Sequence, residues 1–437
     1  MNKASLITPP PTQLKLRILN LTNNEFLLLI IVAFSIIGAI LVKDSSGTAS
    51  IHWMFIFKIN DFDSFTKIIN YVKNLMVPIP ILISLSEITA YNIFGSDFLI
   101  TTIFYRIALV LNFIFAIYMS SSSRPKMLLS LIFSFVFLWA TVVIHIGNPQ
   151  VYDIFFPLFS LLHIVLLKII ISHSGLHRYP KLLALLCFTS GFFLSMAELT
   201  RPFVFFLLPL LLFCSYQALK AFPTKYFIIF LMPIILFSGS WHFYIAMYHG
   251  QIIWTNHSGY NLIRAWPMVE MPKLISETNN QPLVEGSWNN LNTPEHYENS
   301  QKIQKAVLTY ILKHPIDAFG NVVNLLSSLL EVQTRIHGHN PDHQIFIFYR
   351  FFVWAGCLWL FFNVLLHIIN FYKNYRLQNF GIPENILLIA TALYVCIIAI
   401  GESGEGARFL ISILPFLAAF PSYYVLKENK EFLVQEN

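Results

Sequence analysis

Apolar residues along this chain come in long, nearly unbroken runs, not in the i, i+3, i+4 stripes of a soluble helix or the strict alternation of a half-buried strand. About 20 apolar residues in helical form cross the hydrocarbon core of a bilayer. The runs at 25–42, 98–119, 127–146, 153–172, 182–199, 203–219, 227–246, 349–371, 385–401 and 409–426 therefore predict an all-α polytopic membrane protein of about ten transmembrane helices. They divide the chain into a tail at 1–24, a transmembrane core at 25–246 with a first outer loop at 43–97, a large loop at 247–348, C-terminal transmembrane helices at 349–426 and a tail at 427–437. The polar start, with Pro9, Pro10 and Pro11, sets the first apolar run too deep in the chain for a cleavable signal and predicts a retained tail.

The polar connections alternate in charge. Lys15 and Arg17, Arg124 and Lys126, Arg178 and Lys181, Lys220 and Lys225, Lys373 and Arg376, and Lys427 and Lys430 all fall in short segments of one parity. The positive-inside rule puts those segments, and both termini, in the cytoplasm. Residues 76–95 are apolar enough to resemble a further span. A full crossing there would reverse every later loop, and Pro78 and Pro80 disfavour a regular helix at its start. The expectation is a re-entrant or interfacial helix on the outer side.

The 247–348 segment turns toward Asn, His, Glu and Pro and is long enough for a small aqueous domain. Within it, 299–331 predicts a helix with apolar positions at Ile303, Val307, Tyr310 and Ile311 and a break near Pro315. Its second half, from Phe319 through Leu329, predicts an amphipathic helix lying on the membrane. Trp241, Tyr244, Trp254 and Trp266 read as interface anchors.

Composition sharpens the class. Hydrophobic residues make up 56% of the 437 positions and charged residues 11%, against about 25% charged in a soluble domain. This excludes a soluble enzyme, a disordered chain and a nucleic-acid-binding domain. No phosphate-binding glycine loop, dinucleotide fingerprint or nucleophile elbow is present. The four cysteines, Cys187, Cys214, Cys357 and Cys396, all lie in apolar runs and define no disulfide framework.

In so apolar a chain, each ionisable residue near the membrane needs a reason. Arg106 lies about 12 Å into the second span at 1.5 Å per residue. His145, Glu198, Arg201, Glu402, Glu405 and Arg408 fall at outer span ends, and Asp44 closes the first span. Glu198 and Arg201, three apart, read either as an ion pair on one helix face or as a cation held for an anionic headgroup. Gly401-Glu402-Ser403-Gly404-Glu405-Gly406-Ala407-Arg408 reads as a mobile charged hairpin. Asp44, Asp61 and Asp63 are the candidate bases of the first outer loop. His337, His339, Asp342 and His343 have metal-binding side chains but match no zinc spacing, so they read as a polar loop and no metal site is assigned.

Four short motifs in order resemble the multi-spanning glycosyltransferases of the GT-C class: Leu199-Thr200-Arg201-Pro202, Ser258-Gly259-Tyr260-Asn261-Leu262, Tyr310-Ile311-Leu312-Lys313-His314-Pro315 and Glu405-Gly406-Ala407-Arg408-Phe409. The resemblance implies transfer of a sugar from a polyprenyl-phosphate donor to an acceptor hydroxyl on the outer face, with inversion. It matches Asp44 to the acid that follows the first span, although Ser45 stands where the family commonly has a second acid, which keeps Asp61 and Asp63 in play. It implies Arg201, Arg408 and Arg106 as contacts to the lipid phosphate, with Glu198, Glu402, Glu405 and Asn261 lining the substrate region. The length and loop plan also look like serotype-converting O-antigen glucosyltransferases. That likeness implies an undecaprenyl-phosphate glucose donor, a lipid-linked glycan acceptor, a membrane lipid environment and the bacterial inner membrane; the sequence assigns no cofactor and leaves a divalent metal open.

Two rivals stay open. An O-antigen polymerase has a similar plan but joins whole repeat units. A lipid or glycan transporter would place its polar groups around a midplane site, whereas the charges here gather at the outer rim apart from Arg106, His163 and Lys168, the last of which can snorkel.

Overall fold

The computed structural model describes residues 22–43, 99–143, 151–201, 204–249, 262, 265–269, 294–330, 344–373, 380–401 and 406–423. Among these residues the regular structure is helical and includes no strand. The helices are α1 (Asn23–Lys43), α2 (Leu99–Met119), α3 (Arg124–Val143), α4 (Val151–Ser172), α5 (Pro180–Thr200), α6 (Val204–Leu219), α7 (Thr224–Pro233), α8 (Ser240–His249), α9 (Pro294–Lys313), α10 (Pro315–Leu330), α11 (Gln344–Lys373), α12 (Pro383–Gly401) and α13 (Gly406–Ala418). The first loop, the 76–95 segment and the loop around His337–His343 lie outside the described residues.

Local sequence explains several helix starts. Thr22 and Glu25 form a reciprocal capping box at α1: the Thr22 backbone N–H donates to Glu25 Oε2 at 2.7 Å and the Glu25 N–H to Thr22 Oγ1 at 3.3 Å. Helices α5, α9, α10 and α12 each open on a proline, whose missing N–H costs nothing in the first turn.

Among the described residues, six helical segments are long and apolar enough to cross a membrane: Asn23–Val42, Arg124–Val142, Asp153–Ser172, Pro180–Thr200, Thr224–Tyr244 and Phe348–Ile369. Other expected spans coincide with α2 (Leu99–Met119, 21 residues), α6 (Val204–Leu219, 16 residues) and α12 (Pro383–Gly401, 19 residues). Helix α13 has 13 residues, about 20 Å of helix. It gives way to a 3-10 turn at Phe420–Tyr423. The Thr224–Tyr244 span is not one regular helix either: after Pro233 it passes through a π-helical segment, Ile234–Gly239, before α8.

Helix α4 is the centre of the bundle and packs against α2, α5, α6, α12 and α13. Close approach of α5 and α7 depends on Gly191, where a Cβ would lie 2.0 Å from the Phe230 carbonyl oxygen. Polar contacts fix which helix ends share a side. Near the end of α4, Lys168 Nζ lies 2.9 Å from Glu384 Oε1 in the first turn of α12 and donates to the Met119 carbonyl at 2.7 Å. Ser130 in α3 donates to the Ala418 carbonyl at the same end. The opposite end carries the start of α4, the end of α5 and the start of α13. Helices α2 to α5 therefore alternate in direction, as do α12 and α13, as short connections require.

A second, small core lies in the 262–330 region. Ala265, Trp266 and Val269 pack with Ile303 and Val307 of α9 and Ala318 of α10, and Asn321 Nδ2 donates to the Ala265 carbonyl at 2.9 Å. The expected break falls at His314, between α9 and α10. Two interface anchors expected from the sequence are instead interior: Trp266 is in this core, and Trp241 is buried against Met196 and Leu199. A large apolar surface gains more from packing where a partner face exists than from an interfacial position. Helix α10 abuts α11, α12 and α13.

Candidate functional site

The end of the bundle opposite Lys168 gathers buried charge. Asp153 sits in the first turn of α4, where the partial positive charge of the helix N-terminus favours a carboxylate. Arg201 caps the C-terminus of α5 in an extended conformation. Arg201 Nη2 donates to Asp153 Oδ1, and Ser412 Oγ of α13 donates to the same oxygen at 3.2 Å. All three side chains are buried. One carboxylate thus ties the ends of α4, α5 and α13.

One turn earlier on α5, Glu198 takes a different partner. His242 Nε2 of α8 lies 2.7 Å from Glu198 Oε1, and Glu198 is fully buried. The Phe205 ring, at the start of α6, meets the His242 imidazole edge-on at 5.1 Å between centroids. The three-residue spacing of Glu198 and Arg201 suggested that they pair with each other. Each is instead joined to another helix, because the chain leaves helical geometry at Arg201 and turns its side chain toward α4.

Of the residues expected at the site, Glu198 and Arg201 are brought together here. Arg106 is half-buried on α2. It lies six residues from Asn112, whose Nδ2 donates to the Ile154 carbonyl at 2.9 Å, so α2 runs beside the start of α4. Arg408 lies in the first turn of α13, one turn before Ser412. Asp44, Asp61, Asp63, Asn261, Glu402 and Glu405 lie outside the described residues. Among the described residues no group of three or more His, Cys, Asp or Glu side chains could hold a metal.

Asp153, His242 and Ser412 were not among the expected site residues. Asp153 carried a readable signal, an acid in the first turn of an otherwise apolar helix. His242 carried a weaker one, an imidazole in an apolar run. Ser412 carried none, since a serine in a span bonds its own helix as readily as a neighbour.

A second polar group sits in mid-bundle. His163 of α4 has Nδ1 3.0 Å from Ser190 Oγ of α5 and Nε2 3.4 Å from Ser215 Oγ of α6. The Phe230 ring packs 5.8 Å from the imidazole centroid. This cluster satisfies both ring nitrogens within the helix core.

No family model, no curated protein and no solved structure matches this chain. The buried-charge end of the bundle combines a positioned cation, a carboxylate beside an imidazole and a hydroxyl. Those groups suit proton transfer and stabilisation of an anionic leaving group.

Proposed function

We propose that the chain is a polytopic membrane glycosyltransferase of the GT-C kind, moving one hexose from an undecaprenyl-phosphate donor to a lipid-linked glycan at the outer face of a bacterial inner membrane. The observation that carries this reading is the gathering of Asp153, Glu198, Arg201, His242 and Ser412 at one end of the bundle. That end joins two motifs of the family resemblance, the one at Arg201 and the one that opens α13.

In this reading the Asp153 end faces outward, and the Lys168 end, with its basic connections, faces the cytoplasm. The acceptor hydroxyl attacks the anomeric carbon from the face opposite the phosphate, giving inversion. Cations stabilise the phosphate as it departs. Arg201 is already balanced by Asp153, so its guanidinium enters the site neutralised and held in place. Arg408 and Arg106 are the further phosphate contacts that the resemblance implies.

His163, with serines from two neighbouring helices, supports a second reading. A polar group in mid-bundle is what a lipid or glycan transporter would use.

The test is transfer by the purified protein in liposomes containing undecaprenyl-phosphate hexose and a lipid-linked glycan, read by mass spectrometry. The expected product is the glycan plus one hexose. A change in chain length at constant repeat mass would replace the reading with a polymerase. Movement of donor or glycan across the bilayer without covalent change would replace it with the transporter.

A further inference from the structure

The ends of α5 and α8 hold more polar capacity than the protein uses. Ser195 and Glu198 are fully buried, and Trp241 is buried against Met196 and Leu199 of the same turns of α5. Ser195 and Glu198 are three residues apart and share one face of α5. Trp241 and its neighbour His242 reach that region from α8. Among the described residues Glu198 Oε2, Ser195 Oγ and Trp241 Nε1 have no hydrogen-bond partner. Buried polar atoms are nearly always paired in a folded protein, so these three offer donor and acceptor positions to a ligand.

The three differ in hydrogen-bonding character. Glu198 Oε2 accepts, Trp241 Nε1 only donates, and Ser195 Oγ does both. A bare phosphate would be repelled by the carboxylate, and an apolar lipid tail would leave all three unmet. A sugar has hydroxyls that donate and accept in turn, together with a C–H face that packs on an indole ring. Arg201, bonded to Asp153, lies one turn along α5, where the leaving phosphate of the proposed reaction would stand.

We propose that Ser195, Glu198, Trp241 and His242 form the subsite for the acceptor sugar, and that Glu198 takes the proton from its attacking hydroxyl. This rests on the glycosyltransfer reading above. As the hydroxyl oxygen bonds to the anomeric carbon, the bond from that carbon to the phosphate oxygen breaks, and its electron pair leaves with polyprenyl phosphate. The hydroxyl proton passes to Glu198 Oε2. His242 donates its Nε2 hydrogen to Glu198 Oε1 across the 2.7 Å contact and fixes the carboxylate's orientation. His242 is thus a positioning residue, and Glu198 is the base in place of a first-loop aspartate.

The experiment pairs kinetics with photolabelling. Wild-type protein in nanodiscs is irradiated with an alkyl hexoside bearing a diazirine on the sugar, and labelled peptides are identified by mass spectrometry. Label on peptides containing residues 195–198 or 241–244 is expected, and label confined to other segments overturns the subsite. In the liposome transfer assay Glu198→Gln should lower kcat by about 10²–10⁴-fold with the donor KM unchanged. Ser195→Ala and Trp241→Phe should raise the acceptor KM and leave the donor KM alone. Wild-type turnover in Glu198→Gln, or equal shifts in both KM values, overturns the assignment. Labelling at this subsite without any transfer by the wild type would overturn the glycosyltransfer reading and leave a sugar-binding site standing. Active transfer with label only elsewhere would overturn the subsite and leave the reading intact.

Discussion

Lys168 Nζ and Glu384 Oε1 stand 2.9 Å apart, with side chains only 12% and 16% exposed, and join the end of α4 to the start of α12. The ammonium also donates to the Met119 carbonyl and lies 5.7 Å from the Tyr118 ring centroid. One lysine therefore ties three helices at the end of the bundle opposite the charged site. Removing one partner of a buried pair leaves the other charge uncompensated, which costs more than the pair contributes. Lys168→Met should destabilise the protein by roughly 3 kcal/mol, and the double variant Lys168→Met, Glu384→Gln should recover most of that loss. Thermal unfolding in detergent would check both, and a double variant no better than the single one would show that the pairing is not the cause.

The same logic applies at the other end with a functional consequence. Asp153→Ala leaves Arg201 buried without its carboxylate and should cost about 3–5 kcal/mol. Arg201→Lys keeps the charge but loses the planar fork, so its effect should fall on transfer more than on unfolding. Parallel melting curves and transfer rates of the two variants separate these outcomes.

Gly191 permits the contact between α5 and α7. A Cβ there would lie 2.0 Å from the Phe230 carbonyl oxygen, which belongs to backbone and cannot swing aside. Gly191→Ala should destabilise by at least about 1–3 kcal/mol, in spite of alanine's better helix propensity. An unchanged melting temperature would mean that the two helices do not cross this closely.

The cysteines report on the packing. Cys187 and Cys214 are buried in the core, whereas Cys396 is exposed on α12. A lipid-soluble maleimide should modify Cys396 in the folded protein and reach Cys187 and Cys214 only after unfolding. Mass spectrometry of labelled peptides gives the order of reaction.

The helices α9 and α10 carry an unburied apolar stripe, with Leu312 83%, Ile316 84% and Phe319 71% exposed. The spacing runs on through the break at His314. Because α10 abuts the spanning helices, this stripe should rest in the headgroup region. A nitroxide on Leu312→Cys should be more accessible to oxygen than to a water-soluble nickel chelate, and the reverse ratio would place the stripe in water.

Much of the helical plan was readable along the chain. Continuous apolar runs predicted spans such as α3, α4 and α5, because backbone groups in a bilayer must satisfy one another within a helix. The break at Pro315 and the two-sided helices around it were equally legible, since proline and periodicity act locally. What fell short was the last run: 409–426 predicts one span, but α13 ends at Ala418 and passes into a 3-10 turn, since apolar composition alone does not say where a helix ends.

Pairing was the part that no local pattern carried. The sequence by itself determined which helices form, which residues are too polar for a bilayer, and that Glu198 and Arg201 need partners. Tertiary structure alone decided that those partners are His242 and Asp153, 44 and 48 residues away. It also turned Trp241 and Trp266 inward. A side chain's partner depends on how helices rotate and cross, and packing over the whole bundle sets that.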